Sequence, residues 1–296
     1  MSERTTEDTP RVDLGILGGT GLYKIEGIEV ETEVTIETPF GSPSDAFVIG
    51  SLAGTKVAFL SRHGRGHTLL PAEINYPANI YAYKMMGVKK ILSINSVGSL
   101  KEEIQPREIV IPDQFFDRSR RKNSFFGKGV AAHVSVAEPV CLDLSQVIYE
   151  AAQELGVPSH LGGTYVCIEG PAFSTKAESR VYRSWGCDVI GMTAATEAKL
   201  CREAEICYAA MNLVTDYDVW HESEEPVTVE MILENLARNI DNAKAIIKRV
   251  IPVMAEQDFA CGCTDALAGC VVTQDECMPQ ESKEKLRHLI EKYMGQ

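Results

Sequence analysis

The chain has no apolar run near the roughly 18 residues that a membrane-spanning helix needs, so a membrane partner is not expected. Its N-terminus, MSERTTEDTPR, lacks the apolar core of a secretion signal, which makes a cytoplasmic location the expectation. Positive charge is short: 29 Lys+Arg stand against 42 Asp+Glu, a net charge of −13. That argues against nucleic acid and anionic membranes, whose recognition leans on basic surface, yet leaves room for one small anion in a local pocket. Three signatures are missing as well. Without HExxH there is no zincin site, without G-x-G-x-x-G no dinucleotide fingerprint, and without a Gly-rich loop ending in Lys-Ser/Thr no P-loop. Neither a metal nor a cofactor is therefore expected. What remains is ordinary for a globular enzyme: 296 residues, 45% hydrophobic and 24% charged, enough for one large α/β domain.

Strands and helices alternate along the chain, which favours a mixed α/β sheet. Residues 1–10 are expected to be a disordered tail. Residues 12–17 read as a buried strand ended by the Gly-rich turn GGTGL (18–22), and 30–36 as a second strand. Residues 45–50 and 56–60 bracket Ala53-Gly54 as a hairpin. Helical spacing predicts helices over 71–86, 143–155, 176–185, 197–204 and 229–250. Short strands are expected at 91–94, 109–111, 164–168 and 189–190, the first ending in Asn95-Ser96-Val97-Gly98-Ser99. The basic run 118–122 reads as a solvated loop, and Ser223-Glu224-Glu225-Pro226 as a mobile acidic one.

The chain is organised around residues 209–220, AAMNLVTDYDVW. Its apolar run has the length and β-branched ending of a buried strand, although the first residues would also suit a helix. Ligands of open α/β sheets gather at strand ends. In extended geometry Asp216 and Asp218 would share a face, and two carboxylates held in a half-dry cleft do not both ionise easily, so one becomes a proton donor near neutral pH. A turn acid beside a helix cap is the plainer reading of the same residues. At other strand exits stand the GGTG turn with Thr20, then Arg62-His63, Asn95-Ser96 and Thr193. Convergent N–H, hydroxyl and guanidinium groups suit a phosphate held without metal.

These stretches resemble a known family. A strand followed by GGTGL, then TPFGSPSD, SRHGRGHT, INSVGSLKEEIQP, EGPAFSTKAES, GMTAATEAKLCREAEICYAA and TDYDVW, in that order, look like 5′-methylthioadenosine phosphorylase in the trimeric branch of purine nucleoside phosphorylases. The resemblance spans about residues 12–250 and implies the nucleoside phosphorylase fold, a single-domain, partly barrel-like mixed β-sheet flanked by helices over 11–254. It implies phosphate around Thr20, Arg62, His63, Asn95, Ser96 and Thr193. Met192 would pack on the ribose, Phe173 and Ser174 beside the base, and Tyr217 near it. Asp216 and Asp218 would face N7 and the exocyclic amine as the catalytic pair. His133 would reach a neighbouring subunit's substrate, which implies a homotrimer, possibly paired into a hexamer. Val229 stands where relatives accepting a 5′-hydroxyl carry histidine, so a methylthio group is favoured. Inorganic phosphate is a co-substrate. Two residues depart from the pattern: Asn95 stands where a Ser or Thr is expected, and Thr196 replaces a proline before Glu197. With Gly191, Thr196 keeps a methylthioinosine, inosine, guanosine or adenosine phosphorylase as the alternative; a nicotinamide oxidoreductase rests on GGTG alone, and a mere purine-binding module has no use for an acid at N7.

Nine cysteines fall into two groups. Cys141, Cys167, Cys187, Cys201 and Cys207 read as small buried hydrophobes. Cys261, Cys263, Cys270 and Cys277 crowd a Cys-rich C-terminal extension (255–296) that ends in a helix over 281–293. A C-x-C alone is a weak zinc signal, so a metal site or a disulfide clip stays open for this group. C-x-C ends in phosphorylases of heat-loving organisms hint at stabilising disulfides.

Overall fold

A computed structural model describes residues 9–19, 27–221 and 229–295. Most of the expected N-terminal tail, Thr20 within the Gly-rich turn, and the acidic loop at 223–226 lie outside the described residues.

Eleven strands form one branched sheet. One wing runs in the order β2 (Glu29–Val34), β3 (Phe47–Leu52), β4 (Thr55–Ser61), β1 (Leu14–Gly18), β5 (Lys90–Ser99). Ala53 and Gly54 turn the β3–β4 hairpin, both at positive φ (50° and 79°), the geometry that suits a two-residue hairpin loop. Beyond β5 the sheet curls. β5 pairs with β11 (Cys207–Asp216), β11 with β6 (Ile109–Ile111), and β6 with β8 (Ser159–Leu161). β7 (Gln114–Asp117) pairs with β9 (Thr164–Cys167), β9 with β10 (Val189–Gly191), and β10 returns to β5. Only Pro112-Asp113 separates β6 from β7, and only Gly162-Gly163 separates β8 from β9. The hydrogen-bonded circuit therefore closes into a small barrel from which β1–β4 fan out.

β11 sits at the centre, and all ten of its residues are buried. It runs parallel to β5 along nearly its whole length. Because successive side chains point to opposite faces, Ala209, Met211 and Leu213 join the core under α2 (Leu142–Glu154) and α5 (Val229–Glu256). Tyr208, Ala210 and Val214 join the core under α1 (Tyr76–Met85) and α4 (Ala194–Glu203). This double burial is why the stretch lacks an alternating pattern and is open to a helical reading.

β7 and β8 have no counterpart among the expected strands, α4 starts three residues before its predicted beginning at 197, and two further differences have a visible cause. α1 begins at Tyr76, five residues after the predicted start, because the Asn75 side chain accepts from the Ala78 N–H (3.2 Å) and Pro77 occupies the first turn. β5 runs through Ser99, so Asn95 and Ser96 lie within a strand rather than past its end. The flanking strands hold them there: β11 pairs as far as Gly98, and β10 pairs Gly98 and Ser99. After α5, the extension folds back on the body. Leu267, Met278 and, from α6 (Gln280–Ile290), Leu286, Leu289 and Ile290 enter the core shared by α1 and α4, and the Tyr81 hydroxyl donates to the Lys285 carbonyl (2.8 Å).

Candidate active site

A cavity of about 300 Å³ opens where β4, β5, β9, β10 and β11 end, the lower end of the range for small-ligand sites. Arg62, His63, Asn95, Ser96, Phe173, Ser174, Met192, Thr193, Asp216, Asp218 and Val229 all line it, so most of the residues picked from the sequence meet in one place.

One end is built around Arg62, whose side chain is 1% exposed. Its guanidinium forms a close two-point ion pair with Glu197, through Nε and through Nη2 (3.2 Å to Oε2). Nη2 also donates to Ser93 Oγ (2.7 Å), and Nη1 to the Ile94 carbonyl (3.1 Å). Of five N–H groups, one on Nη1 has no partner among the described residues. Glu197 in turn accepts from Ser93 Oγ (2.9 Å) and the Tyr208 hydroxyl (2.8 Å). A Cβ on Gly19 would meet Arg62 Nη1 and the Ile94 carbonyl at 2.6 Å each, so the Gly-rich turn approaches the guanidinium as only glycine permits.

His63 corrects an expectation. Its Nδ1 lies 2.9 Å from the Leu69 carbonyl, which can only accept, so Nδ1 carries the hydrogen. Burial, then the Arg62 charge, pushes His63 down to about 4 and keeps the ring neutral. Nε2 is then an acceptor, so the ligand-free His63 is set to accept the hydrogen of a protonated phosphate rather than to donate to an anion as a strand-exit donor. The ring stacks on His67 at 4.3 Å. Asn95 Oδ1 accepts from Thr193 Oγ1 (3.0 Å), while the Ser96 hydroxyl is buried with no partner among the described residues. Thr193 caps the N-terminus of α4 with its side chain turned to Asn95, so the helix presents its positive end to the cavity.

The opposite end holds the two acids, 7% and 8% exposed. They do not share one face of an extended strand. β11 stops at Asp216, and Asp218 adopts a left-handed conformation (φ 51°) with its N–H on Asp216 Oδ1 at 2.7 Å. A tight turn, not the strand, brings the carboxylates together, and it is one that Asp tolerates. Tyr217 corrects a second expectation. Placed between two inward acids, its ring points away, stacks on His221 (4.6 Å) and is not among the lining residues. Thr215 Oγ1 donates to Asp216 Oδ2 (2.7 Å), whereas Asp218 Oδ2 and the Ser174 hydroxyl are buried without partners among the described residues. Burial raises Asp216, against the pull of the Thr215 hydroxyl and the Asp218 N–H, and pushes Asp218 up to about 6. Gly98 makes the room: a Cβ there would lie 2.8 Å from Asp216 Oδ1.

Phe173 and Val229 stand at the rim, 48% and 58% exposed. His133 is exposed and does not line the cavity; its backbone N–H is held by the Cys270 carbonyl (2.9 Å). Gly191 has a packing reason rather than a substrate one, since a Cβ there would stand 2.0 Å from the Tyr165 hydroxyl.

Glu197 and Arg121 were missed. Glu197 sits on the buried Ala-rich face of α4, and a lone acid among Ala194, Ala195 and Ala198 was the available signal. Arg121 corrects the solvated-loop reading of 118–122. Arg118, Arg120 and Lys122 are exposed, but the Arg121 side chain is 5% exposed. It donates to the carbonyls of Met192, Glu169 and Ile168 and to the Tyr76 hydroxyl, tying together two loops that wall the cavity. The cysteine groups also regroup. Cys167, Cys187 and Cys201 are buried as expected, but Cys141 and Cys207 meet Cys261 and Cys263 in one cluster away from the cavity.

A cradle of donors at one end of a sugar-sized cavity and a buried acid pair at the other define a phosphate-using enzyme of nitrogen heterocycles. Residues 13–252 match the Phosphorylase superfamily, and the chain belongs to it. Among its relatives is the S-methyl-5′-thioadenosine phosphorylase of Koribacter versatilis (strain Ellin345), 51% identical over 97% of this chain and 98% of the relative. That of Gloeobacter violaceus (strain ATCC 29082 / PCC 7421) is 53% identical over 96% and 97%. A crystal structure of a methylthioadenosine phosphorylase from an Antarctic soil metagenomic library superposes with a TM-score of 0.90, at 45% identity over 94% of this chain and 99% of that one. The Schistosoma mansoni methylthioadenosine phosphorylase in complex with adenine gives 0.84, at 32% identity over 90% and 100%. No helix among the described residues is long and apolar enough to cross a membrane.

Proposed function

We propose that the protein catalyses the reversible phosphorolysis of 5′-methylthioadenosine, giving adenine and 5-methylthioribose 1-phosphate, a reaction of purine and methionine salvage. The observation that carries this reading is the buried Asp218 Oδ2, without a partner among the described residues, next to Asp216 and in the same cavity as Arg62. A buried carboxylate oxygen without a donor is costly, and the 6-amino group of adenine is the donor that fits it. A 6-oxo purine would set a carbonyl against it.

Breaking the glycosidic bond leaves positive charge on the ribose and negative charge on the purine. Phosphate, held by the free Arg62 N–H, Ser96, Thr193 and the α4 N-terminus, stabilises the first and attacks the anomeric carbon. Its own proton rests on His63 Nε2. Thr20 joins this cradle by resemblance. Asp216, whose burial favours the protonated form, passes a proton to N7 so that adenine leaves neutral. Met192 lies along the ribose, Phe173 and Ser174 beside the base. Val229 faces the 5′ end, where an apolar rim suits methylthio and would strip a hydroxyl of its hydrogen bonds. The protein works in the cytoplasm as a homotrimer or a pair of trimers, with exposed His133 reaching a neighbour's substrate.

The test is methylthioadenosine consumption with and without phosphate, beside inosine and guanosine. Strictly phosphate-dependent loss of methylthioadenosine is expected. Cleavage of inosine with methylthioadenosine inert would overturn the assignment.

A further inference from the structure

The cysteine cluster lies outside the cavity: none of its four members lines it. Cys141, Cys207, Cys261 and Cys263 place their sulfurs within 4.8 Å of one another. They come from three distant parts of the chain. Cys141 caps the N-terminus of α2, Cys207 opens β11, and Cys261 and Cys263 flank the glycine of the C-x-C in the extension. Both body cysteines are held by their backbone, Cys141 N–H on the Tyr208 carbonyl (2.8 Å) and Cys207 N–H on the Lys89 carbonyl (2.9 Å). Three of the four are 4% exposed or less, and Cys261 is half-buried. All four thiols are free, and Cys207 and Cys261 approach to 3.3 Å between sulfurs. That is far beyond the roughly 2.05 Å of a disulfide. It is close to the S–S edge, about 3.8 Å, of a tetrahedron whose centre lies about 2.3 Å from each sulfur.

We propose that Cys141, Cys207, Cys261 and Cys263 form a tetrathiolate site for a zinc ion, which fastens the C-terminal extension to the barrel. Four sulfur donors at tetrahedral spacing are the ligand set of a structural zinc centre, with no open position for water or substrate. Binding replaces four S–H bonds by four Zn–S bonds and releases four protons, leaving a charge of −2 on the centre. Two features offset that charge. The Arg202 guanidinium donates to Cys263 Sγ (3.4 Å), and the N-terminal N–H groups of α2 follow directly on Cys141. Cys141, Cys207 and Cys263 belong to the same buried apolar cluster as Ile148, with Cys261 and Phe259 packed against it, which limits the access of water. The extension is otherwise poor in regular structure between α5 and α6, where a cross-link has most to stabilise.

The experiment is metal analysis of the full-length protein purified under reductant from zinc-supplemented cells, with cobalt(II) exchanged into a second sample. About one zinc per chain is expected, together with intense thiolate-to-cobalt charge-transfer absorption and the visible bands of tetrahedral cobalt. The double variant C261S/C263S should lose the metal and melt at lower temperature, while Cys277→Ser, at an exposed cysteine outside the cluster, should keep it. Methylthioadenosine turnover per folded molecule should be unchanged in both. Wild-type protein that takes up neither zinc nor cobalt, disulfides among these four cysteines under reductant, or metal retained by C261S/C263S would each overturn the site. Should the double variant not fold, the wild-type cobalt spectrum decides alone.

Discussion

The two ends of the cavity treat charge in opposite ways. At the phosphate end every charge is met. Arg62 is paired with Glu197, Glu197 is saturated by Ser93 and Tyr208, and His63 is held neutral. At the acid end a carboxylate oxygen has no partner among the described residues, and both acids are held above their ordinary range. The first end is a rigid frame that needs little rearrangement when an anion arrives. The second carries a cost of burial, which on the proposed function a purine that supplies the missing donor would relieve.

The contrast can be broken at its strongest point by Asp216→Ala. Turnover should fall by about 10²–10⁴-fold while adenine affinity falls far less, as steady-state kinetics beside an adenine titration would read. Equal losses in both would make Asp216 a binding group only. Next in size is Glu197→Gln, which strands the Arg62 charge in the interior. Urea denaturation should show a loss of about 3–5 kcal/mol, and added phosphate should restore part of it, since the anion replaces the lost counter-charge.

Asp218→Asn probes the strained end and should act in the other direction. Asp218 titrates at about 6 in the folded protein, above its ordinary value near 3.9. It therefore opposes folding at neutral pH, and that penalty is removed as pH falls through 6 towards 4. Ligand-free Asp218→Asn should be more stable than wild type at pH 7 by about 3 kcal/mol at most. His63, depressed to about 4, has the opposite sign: its unfolded form takes up a proton first, so stability drains away between about pH 6.5 and 4. The two ends offset one another in wild type, and melting temperature should fall more steeply on acidification from pH 7 to 5 in Asp218→Asn. The same variant should shift preference towards 6-oxo purines, because an amide can donate to a carbonyl. A variant as pH-tolerant as wild type would show that Asp218 carries no such burden. The smallest effect belongs to the rim. Val229→His should raise relative turnover of adenosine, with its 5′-hydroxyl, by a few-fold, about 1 kcal/mol of recovered hydrogen bonding.

Much of this was legible because it is local. The apolar run of β11, the turn residues Ala53-Gly54, and polar groups following apolar runs at Arg62, Thr193 and Asp216 all announce themselves within a few positions, where periodicity and turn chemistry act. The resemblance added the order of the motifs and the roles of Met192, Phe173 and Ser174. Several features needed the folded chain. Arg62 meets Glu197 across 135 positions, and Arg121 looks like its exposed neighbours until two loops close over it. The hydrogen on His63 Nδ1 depends on a carbonyl six residues away. Cys141 and Cys207 look like filler until the extension brings Cys261 and Cys263 to them. By itself the sequence determined the longer strands and most of the chemical groups that stand near their ends, since a side chain's face and a turn's geometry are set by near neighbours. Tertiary structure alone decided which charges are matched, which oxygen goes without a donor and which thiols meet, because these depend on distances between segments that only the closed barrel brings together.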